Sequence, residues 1–157
     1  MCCMKTIALL FLYFICLPTL HAQNGVAPGI AAIFGPENGI NTRFYYFPNE
    51  HSCFGPEVNF FPSSDGELAD GLEIAINGHY IFEITHKLGM YPIAGAGWKR
   101  LDSKEDGWRA NLGLGLHWSA GRFVPYSEYI YSLGFEDEGV FLIGTFFTFG
   151  FHNQEDH

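Results

Sequence analysis

Trp108-Arg109-Ala110-Asn111-Leu112-Gly113-Leu114-Gly115-Leu116-His117-Trp118-Ser119 is an unbroken alternation. Trp108, Ala110, Leu112, Leu114, Leu116 and Trp118 share one parity, and Arg109, Asn111, Gly113, Gly115, His117 and Ser119 the other. Successive side chains of a strand point to opposite faces, so the stretch predicts a strand with one aliphatic face closed at each end by a tryptophan. A soluble barrel would turn such a face inward and has little need of an aromatic at each border. A strand that faces lipid places Trp and Tyr at both water interfaces. The span from Trp108 to Trp118 suits a tilted membrane strand of roughly 9–11 residues. The apolar face is therefore expected outside, with Trp98, Trp108 and Trp118 as interfacial aromatics.

The same parity extends in both directions. Leu72 to Ile84 predicts a strand with Leu72, Ile74, Ile76, Tyr80, Phe82 and Ile84 outward and Glu73, Ala75, Asn77, His79, Ile81 and Glu83 inward. Leu88 to Lys99 ends with Trp98 out and Gly95, Gly97 and Lys99 in. Val140 to Phe151 puts Phe141, Ile143, Phe147, Phe149 and Phe151 out, with Phe149 or Phe151 closing the strand. Ala27 to Phe34, Thr42 to Phe47, Phe54 to Phe61 and Phe123 to Leu133 complete eight segments with weaker alternation, because Ile33, Phe47 and Ile130 join the inward set. A narrow barrel fills its interior with such side chains. The expected fold is all-β, an eight-stranded antiparallel up-and-down transmembrane barrel.

Connections after odd segments (Gly35 to Asn41, Ser63 to Gly71, Arg100 to Gly107, Gly134 to Glu138) are rich in glycine and acid. Those after even segments, Thr85-His86-Lys87 and Ala120-Gly121-Arg122, are tight, and Pro48 to Cys53 is somewhat longer. Short periplasmic turns and longer outer loops are the pattern of an outer-membrane barrel, which places both termini in the periplasm. Pro28, Pro56, Pro92 and Pro125 open the odd segments on the outward parity. Proline cannot donate to a ladder and a closed barrel has no edge to hide it, so each is expected at the periplasmic end, near water or a bulge.

Lys5, the apolar run Ile7 to Leu17 and the small-residue ending at Ala22 predict a secretory signal peptide over residues 1–22. The bulky Tyr13, Phe14 and Ile15 argue against lipidation of Cys16. Cleavage would leave Cys53 as the one cysteine, so no internal disulfide is expected. Residues 23–151 then form one barrel domain and residues 152–157 a polar tail. The net charge of -9, with basic residues scattered singly, excludes a nucleic-acid partner. Aromatic content of 17 % and 19 glycines, without long apolar runs after residue 22, fit alternation throughout.

Thr42-Arg43-Phe44-Tyr45-Tyr46-Phe47-Pro48, Gly55 to Phe61, Asn77-Gly78-His79-Tyr80, Tyr91 to Trp98 and Pro125 to Tyr129, in this order and spacing, resemble the small porin-like, OmpA-type outer-membrane β-barrel proteins of Gram-negative bacteria. The resemblance implies an outer-membrane location, contact with outer-membrane lipid and lipopolysaccharide, and a monomer without cofactor. The last segment also looks like the signal read by the barrel-assembly machinery, with Gly144, Phe147 and Phe149 at its glycine and aromatic positions. It departs from that pattern by continuing into an exposed tail.

Inward Arg43, Lys99 and Arg109 face inward Glu57, Glu73, Glu83 and Glu128, and with Asn59, Asn77, His79 and Asn111 they predict a polar network in the barrel interior. Buried charges of this kind must be paired. His117-Trp118-Ser119 resembles the His-x-Ser pair of some lipid A deacylases, and with Glu128 on the next strand it makes a lipid A-modifying esterase one alternative. A narrow channel for small solutes is another. The tail residues His152, Glu155, Asp156 and His157 have no defined metal-ligand spacing, so no metal site is expected. The acidic loops (Asp65, Glu67, Asp70, Asp102, Glu105, Asp106, Glu136, Asp137, Glu138) read as solubilising. The expected role is non-enzymatic: structural, envelope integrity or surface interaction.

Overall fold

A computed structural model describes residues 25–62, 71–101, 106–134 and 137–150. The expected signal peptide, the tail with Phe151, and the loop acids Asp65, Glu67, Asp70, Asp102, Glu105 and Glu136 lie outside them. The strands are β1 (Gly25–Phe34), β2 (Gly39–Asn49), β3 (Ser52–Phe61), β4 (Gly71–Tyr80), β5 (Phe82–Glu83), β6 (Leu88–Leu101), β7 (Gly107–Trp118), β8 (Phe123–Gly134) and β9 (Glu138–Phe147). Consecutive strands pair antiparallel, except that β4 and β5 both pair with β6 and not with each other, and β1 also pairs with β9. The two-residue β5 continues β4 in the same register against β6, so the sheet is a closed barrel of eight staves.

Parity sets which side chain meets what. Ile30, Ile74, Ile76, Leu112, Leu114, Leu116 and Ile143 are exposed around the middle of the outer wall. Trp108, which is 74 % exposed, stands across the ladder from Trp98 at the loop end. Tyr80, Phe82, Trp118, Phe123, Phe147 and Phe149 are exposed at the short-turn end. An apolar belt this continuous, bordered by rings, is a lipid-facing surface and not that of a soluble monomer. The core is the lumen, where Ala27, Ile33, Tyr45, Tyr91, Ile93, Tyr126, Leu142 and Phe146 pack with the polar residues described below.

Most strand bounds differ from the sequence expectation by a residue or two, and three strands differ by more. β2 begins at Gly39 and ends at Asn49, so the connection to β3 is a tight turn at Glu50-His51, closed by the Asn49 side chain, which accepts from His51 N (2.9 Å) and Ser52 Oγ (3.0 Å). The segment expected from Leu72 to Ile84 is interrupted at Ile81. β9 stops at Phe147, beyond which Val26 and Phe149 form an isolated bridge.

The prolines explain these interruptions. All four point outward, and each breaks one ladder: β1–β9 skips Pro28, β2–β3 skips Pro56, β7–β8 skips Pro125, and the gap between β4 and β5 faces Tyr91 and Pro92. The missing N–H removes the bond that would hold the pair there. The ladders β1–β2, β3–β4, β6–β7 and β8–β9 run without a gap.

Candidate functional site

The lumen is divided by a charged layer at mid-height. Arg43 on β2 donates from Nη1 to both oxygens of Glu128 on β8 (2.8 and 2.7 Å), and its Nη2 lies 3.2 Å from Glu57 on β3. Its Nε donates to Asn41 Oδ1 (2.6 Å), whose amide donates to Glu57 (2.9 Å) and to Asn59 (2.6 Å). Tyr45 donates its hydroxyl to Glu57 and touches His79 Nε2 (2.9 Å), and Tyr91 donates to Glu128 (2.9 Å). The guanidinium lies 4.8 Å over the Tyr126 ring. The planar guanidinium spreads its three nitrogens over three partners, Glu128, Glu57 and Asn41, which the single nitrogen of a lysine cannot do in one plane.

Toward the loop end the network continues as a chain of amides. Asn77 donates to Glu57 (2.8 Å), Asn111 to Asn77 (3.3 Å), Ser132 to Asn111 (2.9 Å) and Asn59 to Glu73 (3.2 Å). Lys99 holds Glu37 and Glu138 (2.7 Å each) and lies 4.6 Å over the Phe61 ring, while Arg109 holds Glu138 (2.6 Å) and approaches Glu73 (3.6 Å). The space left among these side chains is about 20 Å³, room for roughly one water.

Toward the short-turn end the lumen opens into a cup of about 670 Å³. Its wall includes a staircase of rings: His79 stacks on Tyr91 (4.8 Å), and Tyr91 on His117 (5.7 Å). Cys53, buried in the same wall, is a free thiol. Glu83 and Ser119 also line the cup. His117 and Ser119 thus share it, but no hydrogen bond joins them, and Glu128, with both oxygens on Arg43, belongs to the layer below. The three do not form a triad.

Of the eleven expected interior positions, Arg43, Glu57, Glu73, Asn77, His79, Lys99, Arg109, Asn111 and Glu128 are buried and Asn59 is half-buried, whereas Glu83 is exposed at the short-turn end and takes no part in the network. Sequence reasoning missed Asn41 and Ser132 and gave no role to Tyr45, Tyr91 or Tyr126. The signal for the rings lies across the ladder. Tyr91 faces Gly115, Tyr126 faces Gly144, Phe146 faces Gly29 and His117 faces Gly89. A Cβ on Gly115 would sit 2.3 Å from Tyr91, and one on Gly89 2.3 Å from His117. Gly29, Gly89, Gly115 and Gly144 are each a recess into which the ring across the ladder is laid. Among the described residues no group of three or more His, Cys, Asp or Glu is placed to hold a metal ion.

The closed antiparallel sheet, the apolar outer belt and the polar lumen define a fold class: the small eight-stranded transmembrane β-barrels. The individual structures that share it include Ail, an outer membrane protein of Yersinia pestis described as its attachment invasion locus protein (18 % identity, 82 % of this chain and 100 % of that chain, TM-score 0.53). Neisserial surface protein A is similar (13 % identity, 82 % and 97 %, TM-score 0.54), and so is the de novo designed TMB2.3 (15 % identity, 82 % and 97 %, TM-score 0.56). At these identities the likeness is one of fold, and a designed barrel shares it as fully as natural ones do. No family model matches the chain, and no curated protein matches it in sequence.

Proposed function

We propose that this chain is a non-enzymatic outer-membrane barrel with a structural, envelope-integrity or surface-interaction role, its long loops outside and its short turns in the periplasm. The observation that carries this reading is the lumen closed at mid-height by Arg43, Glu57, Glu128 and Tyr45, which leaves the loops as the surface for outside partners. The attachment and surface names of two proteins of similar fold agree with that role. Outer-membrane lipid and lipopolysaccharide would meet the belt, and the chain would act as a monomer. Gly144, Phe147 and Phe149 would present the last strand to the barrel-assembly machinery, with Phe147 ending the ladder and Phe149 bridging to Val26.

Fractionation and planar-bilayer recording test the proposal together. The expected result is a heat-modifiable band in the outer-membrane fraction and no conductance steps from pure protein. Discrete steps would replace this reading with the narrow channel, and a soluble periplasmic product would remove the membrane assignment.

A further inference from the structure

The cup at the short-turn end has the size and placement of a binding site: ligand pockets commonly measure about 300–1,000 Å³ and recur in the mouths of β-barrels. Its mouth is fixed. Beyond the regular ladders, Ile81 N donates to His51 O (2.6 Å), Ser119 N to Lys87 O (2.7 Å) and Thr148 N to Arg122 O (2.9 Å), so each short turn is tied to the end of a neighbouring strand at the rim. A cavity built on such a rim needs no ordering when a ligand enters, which favours affinity.

The lining selects the ligand. Ile81, Val124 and the rings of Tyr91 and Phe146 offer apolar and π surface, while Glu50 and Glu83 stand against Arg122 among the charged groups of the cup. Beneath the floor, Glu57 and Glu128 share Arg43, and the hydroxyls of Tyr45 and Tyr91 tie that pair to the bottom of the cup. Two carboxylates against one guanidinium, inside low-dielectric walls, focus a negative potential into the space above. Aromatic faces add to it, since each attracts a cation that approaches within about 6 Å of its centre.

We propose that the cup binds a compact organic cation, an aromatic or branched apolar body carrying one ammonium or guanidinium group, from the short-turn side. The apolar body packs on Phe146, Ile81 and Val124, and the charge lies among the rings within reach of Glu50 and Glu83. This site is separate from any loop surface and does not depend on the role assigned to the loops.

The test uses the barrel refolded in zwitterionic nanodiscs and titrated with benzyltrimethylammonium, followed by the imidazole resonances of His79 and His117. Benzyl alcohol and phenylacetate serve as neutral and anionic controls. Saturable shifts for the cation, at least about tenfold tighter than for either control, are expected. Glu50→Gln and Glu83→Gln, both exposed and conservative, are each expected to weaken binding about two- to fivefold. Val124→Trp fills the cup and is expected to abolish it, its folding checked by gel mobility. No saturation by about 10 mM, equal affinity for benzyl alcohol, or indifference to both carboxylate variants would each overturn the proposal.

Discussion

Replacing Arg43 by methionine tests the charged layer most directly. The change keeps the unbranched stem and removes the guanidinium, so Glu128 loses both of its bonds to Nη1, Glu57 loses its 3.2 Å contact and Asn41 loses the Nε donor. Two buried carboxylates are then left facing each other without a cation between them, a loss of about 3–5 kcal/mol. With a urea slope of about 2 kcal/mol per molar, the unfolding midpoint should fall by about 2 M. Reversible urea unfolding from phosphatidylcholine vesicles, read by the emission of the three tryptophans, measures it. Arg43→Lys keeps the charge but not the fork, and its midpoint should fall between the two. The triple variant R43M/E57Q/E128Q removes the uncompensated charge and should recover most of the loss. If Arg43→Met costs less than about 1 kcal/mol, or if the triple variant is no more stable than the single one, the layer is not what holds the lumen shut.

Gly115→Ala should cost about 1–3 kcal/mol in the same assay, because the new methyl would overlap the Tyr91 ring, and adding Tyr91→Leu should return part of it. Gly144→Ala should cost as much without such rescue, since its Cβ would lie 2.3 Å from the backbone oxygen of Ile30. Lys99→Met should cost less than Arg43→Met, about 1–3 kcal/mol, because Glu37 and Glu138, its partners at the loop end, reach water. Pro92→Ala should leave stability within about 0.5 kcal/mol of the parent, since the residue is exposed and the ladder there is already interrupted; a large loss would show that the proline is needed in place.

The barrel and the inner and outer faces of its wall were legible because parity is a local property. Trp108 to Ser119 carries its own exterior, interior and both borders, and the same test placed Glu57, Lys99, Asn111 and Glu128 in the lumen. What escaped depends on register between strands. By sequence Asn41 closes a glycine-containing connection, although it shares its parity with Arg43 two residues on. The break at Ile81 is caused by the strand opposite it, at Tyr91 and Pro92, and nothing in Ile81 itself announces it. The three tyrosines acquire meaning only beside the glycines they cover, which lie on other strands. The cup belongs to no single segment, since its wall is gathered at one end of the barrel from strands β2 to β9 and from the turns at Glu50 and at Gly121-Arg122.

The alternation of whole and interrupted ladders also gives the wall a grain. Pulled by its two ends, such a sheet would not tear evenly: the seams skipped by Pro28, Pro56, Pro92 and Pro125 offer fewer bonds to the load than the seams between them. Under tension the barrel should part along those four lines and leave the membrane as four two-stranded pieces, β1 with β2, β3 with β4, β6 with β7 and β8 with β9.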